Sequence, residues 1–188
     1  MGIFFNPGNG SFTKDRNYEI YVDKTELLKY LNRAIGTPGN CIAVSHARRF
    51  GKSHAAGMID AYYSLGSDSA KLFKGTKIAS DPDYEKYRNK YNVIHLDISS
   101  FWDFHKKDIV EKIIEDIFKE LKMDYPEEFN ERDRISYVLM KIYKKTGIPF
   151  VIIIDEWDCV VRNSTDQDLI HQYLQFLHSL FKSVESKS

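Results

Sequence analysis

The chain has 188 residues, 43% of them hydrophobic, and its 27 Lys and Arg residues balance 27 Asp and Glu residues. This length suits one domain with a sizeable core, and the balanced charge argues against a domain built mainly to grip nucleic acid. No apolar run is long enough to cross a membrane and no apolar signal core begins the chain, so a cytoplasmic protein is expected. Cys41 and Cys159 are expected to be buried thiols in a reducing cytosol.

The first part of the chain, 1–39, is predicted to be an N-terminal extension with one helix. Asp23 and Glu26 have the spacing of a capping box, and the apolar residues after them predict a helix that ends near Gly36. A turn follows, and the remainder, 40–188, is predicted to be the core of the same domain.

The segment after this turn has the layout of a phosphate-binding loop. The apolar run Cys41–Val44 predicts a strand, the next residues end in Gly51-Lys52-Ser53, and a helix is predicted from about Lys52 to Leu65. In such a loop the backbone N–H groups and the helix N-terminus hold phosphates, the Lys reaches the β and γ oxygens, and the Ser hydroxyl binds Mg²⁺. His46 stands where the pattern G-x-x-x-x-G-K-[ST] has its first Gly.

This loop predicts contacts with ATP and Mg²⁺. The candidate nucleotide contacts are Arg48, Arg49, Phe50, Gly51, Lys52, Ser53 and His54. Ser53 is also a candidate Mg²⁺ ligand, and Lys52 is a candidate catalytic residue. Arg48 and Arg49 leave alternatives open, because a loop arginine can contact phosphate, a partner's nucleotide or nucleic acid, or can be solvated.

Beyond the loop helix the pattern adds helices and one more strand. The polar stretch 68–90 predicts short helices and loops, and Asn92–Asp97 predicts a strand. Two amphipathic helices are predicted from apolar residues at helical spacing, namely Ile109, Ile113, Ile117 and Leu121, and then Ile135, Leu139 and Ile142. Asp97 ends its strand, and we expect it to cap a turn with Ser99 or Ser100 or to make an outer contact with Mg²⁺ or water.

A second motif follows where Pro149–Asp155 runs into an acid pair. A run that is apolar at nearly every position predicts a buried strand of a parallel sheet. Asp155 at its end would assist Mg²⁺ beside the loop, and Glu156 would polarise the attacking water. Asp-Glu after a strand also suits a helix cap or a solvated turn, but the loop and the acid pair in this order favour a nucleotide site. Asp158 suits either a polar group of the site or a helix cap.

A final amphipathic helix is predicted over 169–184. Its apolar stripe consists of Ile170, Leu174, Leu177, Phe181 and Val184. Strands that alternate with helices predict an α/β fold of three layers, with helices on both faces of a mostly parallel sheet.

Five segments of the sequence occur in the order found in a known family. They are Tyr21–Glu26, Arg48–Ser53, Leu72–Gly75, His95–Ser99 and Ile154–Asp158. From about Phe4 to Asp158 the chain resembles the bacterial AAA-ATPase-like family, often called predicted AAA-ATPase. It departs from the family at His46-Ala47, where Arg-Pro is usual, and at Trp157, where Tyr is commoner. Neither departure removes a group that phosphate or metal needs.

The resemblance implies a P-loop NTPase fold that hydrolyses ATP with Mg²⁺, with Glu156 and Lys52 catalytic and Ser53 and Asp155 at the metal. It also implies a PD-(D/E)XK nuclease-like domain further along the protein, which the ATPase would regulate, so that contact with nucleic acid would be indirect. Two alternatives stay open: a nucleotide-binding regulatory or scaffold module with little or no hydrolysis, and a small-molecule P-loop kinase. Glu156 directly after Asp155 favours water as the phosphoryl acceptor, which argues against the kinase.

After Asp158 the sequence shows no further strand pattern. P-loop ATPases with an Asp-Glu pair normally have another strand that carries a polar sensor residue, so we expect an N-terminal portion truncated before this strand. The two motif strands would then pair directly, or another copy would fill the gap. We therefore expect a dimer or larger homo-oligomer, with the apolar stripe of the final helix offered to a partner.

Overall fold

The computed structural model describes residues 2–44, 50–129 and 133–184. Its internal contacts divide the chain into two compact units. The first unit is Asn6–Val93, and the second combines Gly2–Phe5 with the chain from Ile94 onward. No helix in these described ranges is both long enough and apolar enough to cross a membrane.

The first unit is helical. Its elements are α1 (Gly10–Arg16), α2 (Glu26–Ala34), α3 (Lys52–Tyr63), α4 (Ala70–Phe73), a 3₁₀ helix (Lys77–Ser80) and α5 (Tyr84–Tyr87). Helix α1 approaches α3 closely at Gly57, where a Cβ atom would lie 2.7 Å from the Oγ atom of Ser11. A residue without a side chain is therefore required at this point of α3.

A buried polar chain joins α2 to α3 inside the first unit. The Nδ2 atom of Asn32 donates to the hydroxyl of Tyr62 at 3.1 Å, and the hydroxyl of Tyr63 donates to Oδ1 of Asn32 at 2.7 Å. All three side chains are almost fully buried, and burial raises the pKa of Tyr62 to about 12. Burial also raises the pKa of Tyr63, so both hydroxyls stay neutral, and the buried amide has partners for both of its polar atoms.

Three predictions for the first unit are wrong. Cys41–Val44 forms no strand, and Cys41 is exposed rather than buried. This short run finds neither a neighbouring strand nor the core, so its backbone has no ladder to join. The capping box is also absent: Thr25 is the N-cap of α2 without a side-chain cap bond, and Glu26 instead pairs with Lys77 at 2.8 Å.

The second unit is built around a two-stranded parallel sheet. Its elements are β1 (Asn92–Asp97), α6 (Ile98–Phe104), α7 (Ile109–Asp124), a 3₁₀ helix (Pro126–Glu128), α8 (Ile135–Thr146), β2 (Phe150–Asp155), α9 (Cys159–Asn163) and α10 (Gln167–Val184). The strands β1 and β2 pair with each other, so the α/β class is confirmed. The predicted direct pairing of β2 with Cys41–Val44 is wrong, because the described sheet contains β1 and β2 alone.

Helical periodicity located the part of the second unit's core that α7 and α8 contribute. The predicted apolar positions of α7 and α8 are almost fully buried: Ile109, Ile113, Ile117, Leu121, Ile135, Leu139 and Ile142. Cys159 is buried as predicted. The strand β2 differs from its prediction, because all six of its residues are only half-buried. With β1 as its partner in the described sheet, β2 is less covered than the interior of a wide sheet would be.

The buried face of α10 coincides with the predicted stripe at Leu177 but otherwise consists of different residues. Helix α10 packs against α7 and α8, and its buried residues are Leu169, Tyr173, Phe176, Leu177 and Leu180. Leu174 and Phe181, which belong to the predicted stripe, are 43% and 41% exposed. The helix has apolar residues on two overlapping faces, and packing selects the face that also carries Tyr173.

Candidate functional site

The candidate phosphate-binding segment lies at the start of α3, in the first unit. Gly51 is the N-cap of this helix, with φ +77° and ψ 36° in the left-handed region, where glycine is favoured. Its carbonyl accepts the N–H of Ala55 at 3.0 Å. Lys52 and Ser53 are thus the first two residues of the helix. Arg48 and Arg49 lie outside the described residues.

The side chains of this segment differ in exposure. Lys52 is half-buried, Ser53 is exposed and Phe50 is 61% exposed. His54 is held by α1, because its Nδ1 atom lies 2.6 Å from a carboxylate oxygen of Asp15. The first turn of α3 contains no acidic residue. Since a helix N-terminus carries partial positive charge, this turn is suited to an anion that comes from elsewhere.

Lys24 also reaches this segment, which the sequence did not reveal. Its ammonium donates to the carbonyl oxygen of Phe50 at 2.6 Å, across 26 positions of sequence. The only sequence signal was its place in Tyr21–Glu26, one of the five segments of the family resemblance.

The candidate acid pair lies in the second unit, in the turn after β2. A carboxylate oxygen of Asp155 accepts the N–H of Glu156 at 3.0 Å, and the carbonyl of Glu156 accepts the N–H of Cys159 at 2.9 Å. Glu156 has φ +50°, a left-handed conformation that is uncommon for a residue with a side chain. The backbone of this turn is therefore fixed by hydrogen bonds on both sides of Glu156.

Arg162 binds two of the acids that follow β2. Its Nη2 atom lies 2.7 Å from Oε2 of Glu156, and its Nε atom lies 2.7 Å from Oδ2 of Asp158. Asp158 is thus an ion-pair partner rather than a side-chain cap of α9. From α10, the hydroxyl of Tyr173 donates to the carbonyl of Trp157 at 2.6 Å, and burial raises the pKa of this hydroxyl. Four consecutive residues of the turn are therefore held in place.

Asp97 caps the helix that follows β1, as one of its two interpretations predicted. Its carboxylate accepts the N–H of Ser99 at 3.0 Å and the hydroxyls of Ser99 and Ser100 at 2.6 and 2.7 Å. Burial would raise the pKa of Asp97, but the hydrogen bonds from Ser99 and Ser100 outweigh it and hold the pKa below the ordinary 3.8.

This cap gives a testable pH dependence. Since the pKa of Asp97 is lower in the folded chain than in the unfolded chain, its stabilisation is full above pH 3.8 and is lost as the pH falls through the lower folded value. Asp97→Ala should lower the free energy of unfolding by about 1 kcal/mol at pH 7. Urea unfolding of both proteins should show a smaller difference as the pH falls below 3.8, and a constant difference would contradict a charged cap.

The start of α3 and the turn after β2 each carry a group that suits Mg²⁺. The hydroxyl of Ser53 and the carboxylate of Asp155 are oxygen donors, which Mg²⁺ prefers. Within the described ranges, three or more His, Cys, Asp or Glu side chains nowhere converge as a metal cluster. Mg²⁺ is commonly bound by one or two protein groups together with substrate phosphates, so the donors present fit this ion.

A family comparison covers both of these segments. The family model AAA-ATPase_like, described as Predicted AAA-ATPase, matches residues 8–188. The chain belongs to this family. Membership in the predicted AAA-ATPases makes the chain an ATPase-like module and supports the use of ATP. Neither a curated protein nor a solved structure matches the chain significantly.

Proposed function

We propose that this member of the predicted AAA-ATPases is a P-loop module that binds ATP with Mg²⁺ and hydrolyses it. The observation that carries the proposal is the start of α3, where left-handed Gly51 leads into Lys52 and Ser53 at the first two helical positions. The family match and the acid pair after β2 support it. Hydrolysis here would depend on positioning and charge stabilisation.

Phosphate binding is assigned to the first turn of α3. Its N–H groups and the positive end of the helix would hold the phosphate oxygens, and the ammonium of Lys52 would neutralise the β and γ oxygens. Arg48 and Arg49 are proposed as further contacts. We leave His54 out of this set, because its ring already binds Asp15.

Metal binding is assigned to Ser53, with Asp155 assisting. When bound, Mg²⁺ supplies positive charge against the phosphate oxygens. Ser53 is an exposed residue in the first turn of α3, and the carboxylate of Asp155 accepts the N–H of Glu156. Each of these two side chains is proposed as an oxygen ligand of the ion.

Glu156 is proposed to orient and activate the attacking water. Its left-handed backbone and the bonds around it give the side chain a fixed starting point. The same carboxylate is engaged by Arg162 at 2.7 Å. This ion pair favours a second candidate function, a nucleotide-binding regulatory module with little or no hydrolysis, because a carboxylate bound to a guanidinium has one oxygen less for water.

The wider proposal concerns the fold and the role of the module. We propose a three-layer α/β/α P-loop domain with an N-terminal extension over 1–39 and a nucleotide-binding core over 40–188. Its ATP cycle would regulate a nuclease-like domain of the same cytoplasmic protein, and a homo-oligomer is part of this proposal.

Two measurements on the same preparation test the proposed function. Titration calorimetry with ATP and MgCl₂ should show binding, and a phosphate-release assay should show turnover. Binding with turnover supports the ATPase, binding without turnover supports the regulatory module, and absence of binding contradicts both. Chelation of Mg²⁺ by EDTA should remove turnover in the first case.

A further inference from the structure

The contact between Lys24 and Phe50 links the start of α2 to the residue before Gly51. The Nζ atom of Lys24 lies 2.6 Å from the carbonyl oxygen of Phe50. This oxygen belongs to the peptide unit that leads into Gly51, the N-cap of α3. The ammonium therefore fixes the orientation of the peptide from which the helix starts.

The backbone that carries Lys24 is anchored on both sides. The carboxylate of Asp23 accepts the N–H groups of Thr25 and Lys77, each at 2.8 Å. Thr25 is fully buried, and its hydroxyl accepts the N–H of Ile78 at 3.1 Å. The Cα atom of Lys24 therefore has a defined position, although its side chain is exposed.

Gly51 leaves the space that the ammonium of Lys24 occupies. A Cβ atom on Gly51 would lie 2.7 Å from Nζ and 3.9 Å from Cε of Lys24. The left-handed φ of +77° already favours glycine here. The absence of a side chain thus serves both the backbone conformation and the approach of Lys24.

The charge of Lys24 is unexpected at this place. A cation near a helix N-terminus is disfavoured by the partial positive charge of that end. Across the described parts of the chain Lys24 forms no ion pair with a carboxylate, and the first turn of α3 has no acid. Among the described residues, the positive charge of Lys24 is compensated only by its contact with the carbonyl of Phe50. A bound anion would compensate this charge further.

We propose that Lys24 is a positioning residue of the nucleotide site. It fixes the Phe50–Gly51 peptide, and so keeps the first N–H groups of α3 and the side chain of Lys52 directed towards the phosphates. This inference rests on the proposed function, because it assigns Lys24 to the same phosphate-binding turn.

The test compares Lys24→Met with Lys24→Arg, and uses Lys29→Met as the matched control. Lys29 lies on α2, and Lys29→Met makes the same change of charge and shape outside the proposed site. Calorimetry with ATP and MgCl₂ should show about tenfold weaker binding for Lys24→Met, in line with one lost charge-assisted hydrogen bond. Lys24→Arg should recover most of the affinity, and Lys29→Met should bind like the wild type.

A double-mutant cycle with Gly51→Ala provides the second readout. In the wild type the new methyl group meets both the left-handed backbone and the ammonium. In the Lys24→Ala background the clash with the ammonium is absent. The losses of ATP affinity should therefore be less than additive, since the two residues are in contact. Strict additivity would contradict the coupling.

The outcomes separate this inference from the proposed function. Wild-type protein that binds no ATP, or binding that survives Lys52→Ala, would overturn both. Binding that depends on Lys52 but is equal in the wild type and Lys24→Met would overturn the role of Lys24 alone. Equal losses in Lys24→Met and Lys24→Arg would overturn it too, because a positioning cation should be replaced in part by another cation.

Discussion

Lys52→Ala should reduce the affinity for ATP by a hundredfold or more, since one charge-assisted contact to phosphate contributes up to about 3 kcal/mol. Lys52 is the first residue of α3 and follows the left-handed Gly51, so its side chain starts at the turn that is proposed to hold the phosphates. Alanine is a good helix former, and the start of α3 should survive the change.

Lys14→Ala is the matched control for this experiment. Lys14 is an exposed residue of α1 in the same unit, so its loss makes an equal change of charge. Titration calorimetry should show wild-type affinity for the control. Unchanged affinity in Lys52→Ala would remove the nucleotide site from the start of α3.

Glu156→Gln should keep ATP binding and slow hydrolysis by about a hundredfold or more, as expected for loss of a general base. The amide oxygen of glutamine can still accept a hydrogen bond from Arg162, so the turn after β2 should keep its structure. Single-turnover hydrolysis stopped by acid quench measures the chemical step separately from product release.

Two comparisons sharpen the interpretation of Glu156→Gln. Glu111→Gln changes an exposed acid of α7 by the same atoms and should leave turnover unchanged. If Glu156→Gln hydrolyses ATP as fast as the wild type, another residue must activate the water, and Asp158 is the next candidate. If neither the wild type nor the variant releases phosphate while both bind ATP, the regulatory module is supported instead.

Local patterns explain which parts of the fold the sequence predicted. In α7 and α8 the apolar residues recur at helical spacing on one face, and packing buries that same face. The strands Asn92–Asp97 and Phe150–Asp155 also formed where the apolar runs predicted them. These signals lie within a few residues, so one sequence is enough to read them.

The wrong predictions concern elements whose structure depends on contacts between distant segments. A run as short as Cys41–Val44 becomes a strand only if a neighbouring strand pairs with it, and the sequence does not specify that partner. In α10, apolar residues occur on overlapping faces, so periodicity alone could not choose between the stripe with Leu174 and the face with Tyr173. Packing against α7 and α8 determines which face of α10 is buried.

The candidate site also combines features that short motifs predict with features that depend on contacts between distant segments. Gly51-Lys52-Ser53 and Asp155-Glu156 are short motifs, and the cap made by Asp97 needs only the serines that follow it. Lys24 reaches Phe50 from a different helix, and spacing does not reveal such a contact. Arg162 is close in sequence to Glu156, but the Asp-Glu motif alone does not indicate which side chain pairs with the glutamate.

The left-handed backbone of Glu156 makes stability and function favour different residues at this position. A left-handed conformation costs a residue with a side chain on the order of 1 kcal/mol, whereas glycine adopts it freely. Folding alone would therefore favour glycine over Glu156, and the bond to Arg162 recovers only part of the difference. A library screened only for thermal stability should enrich glycine at position 156, whereas one screened for turnover should retain glutamate.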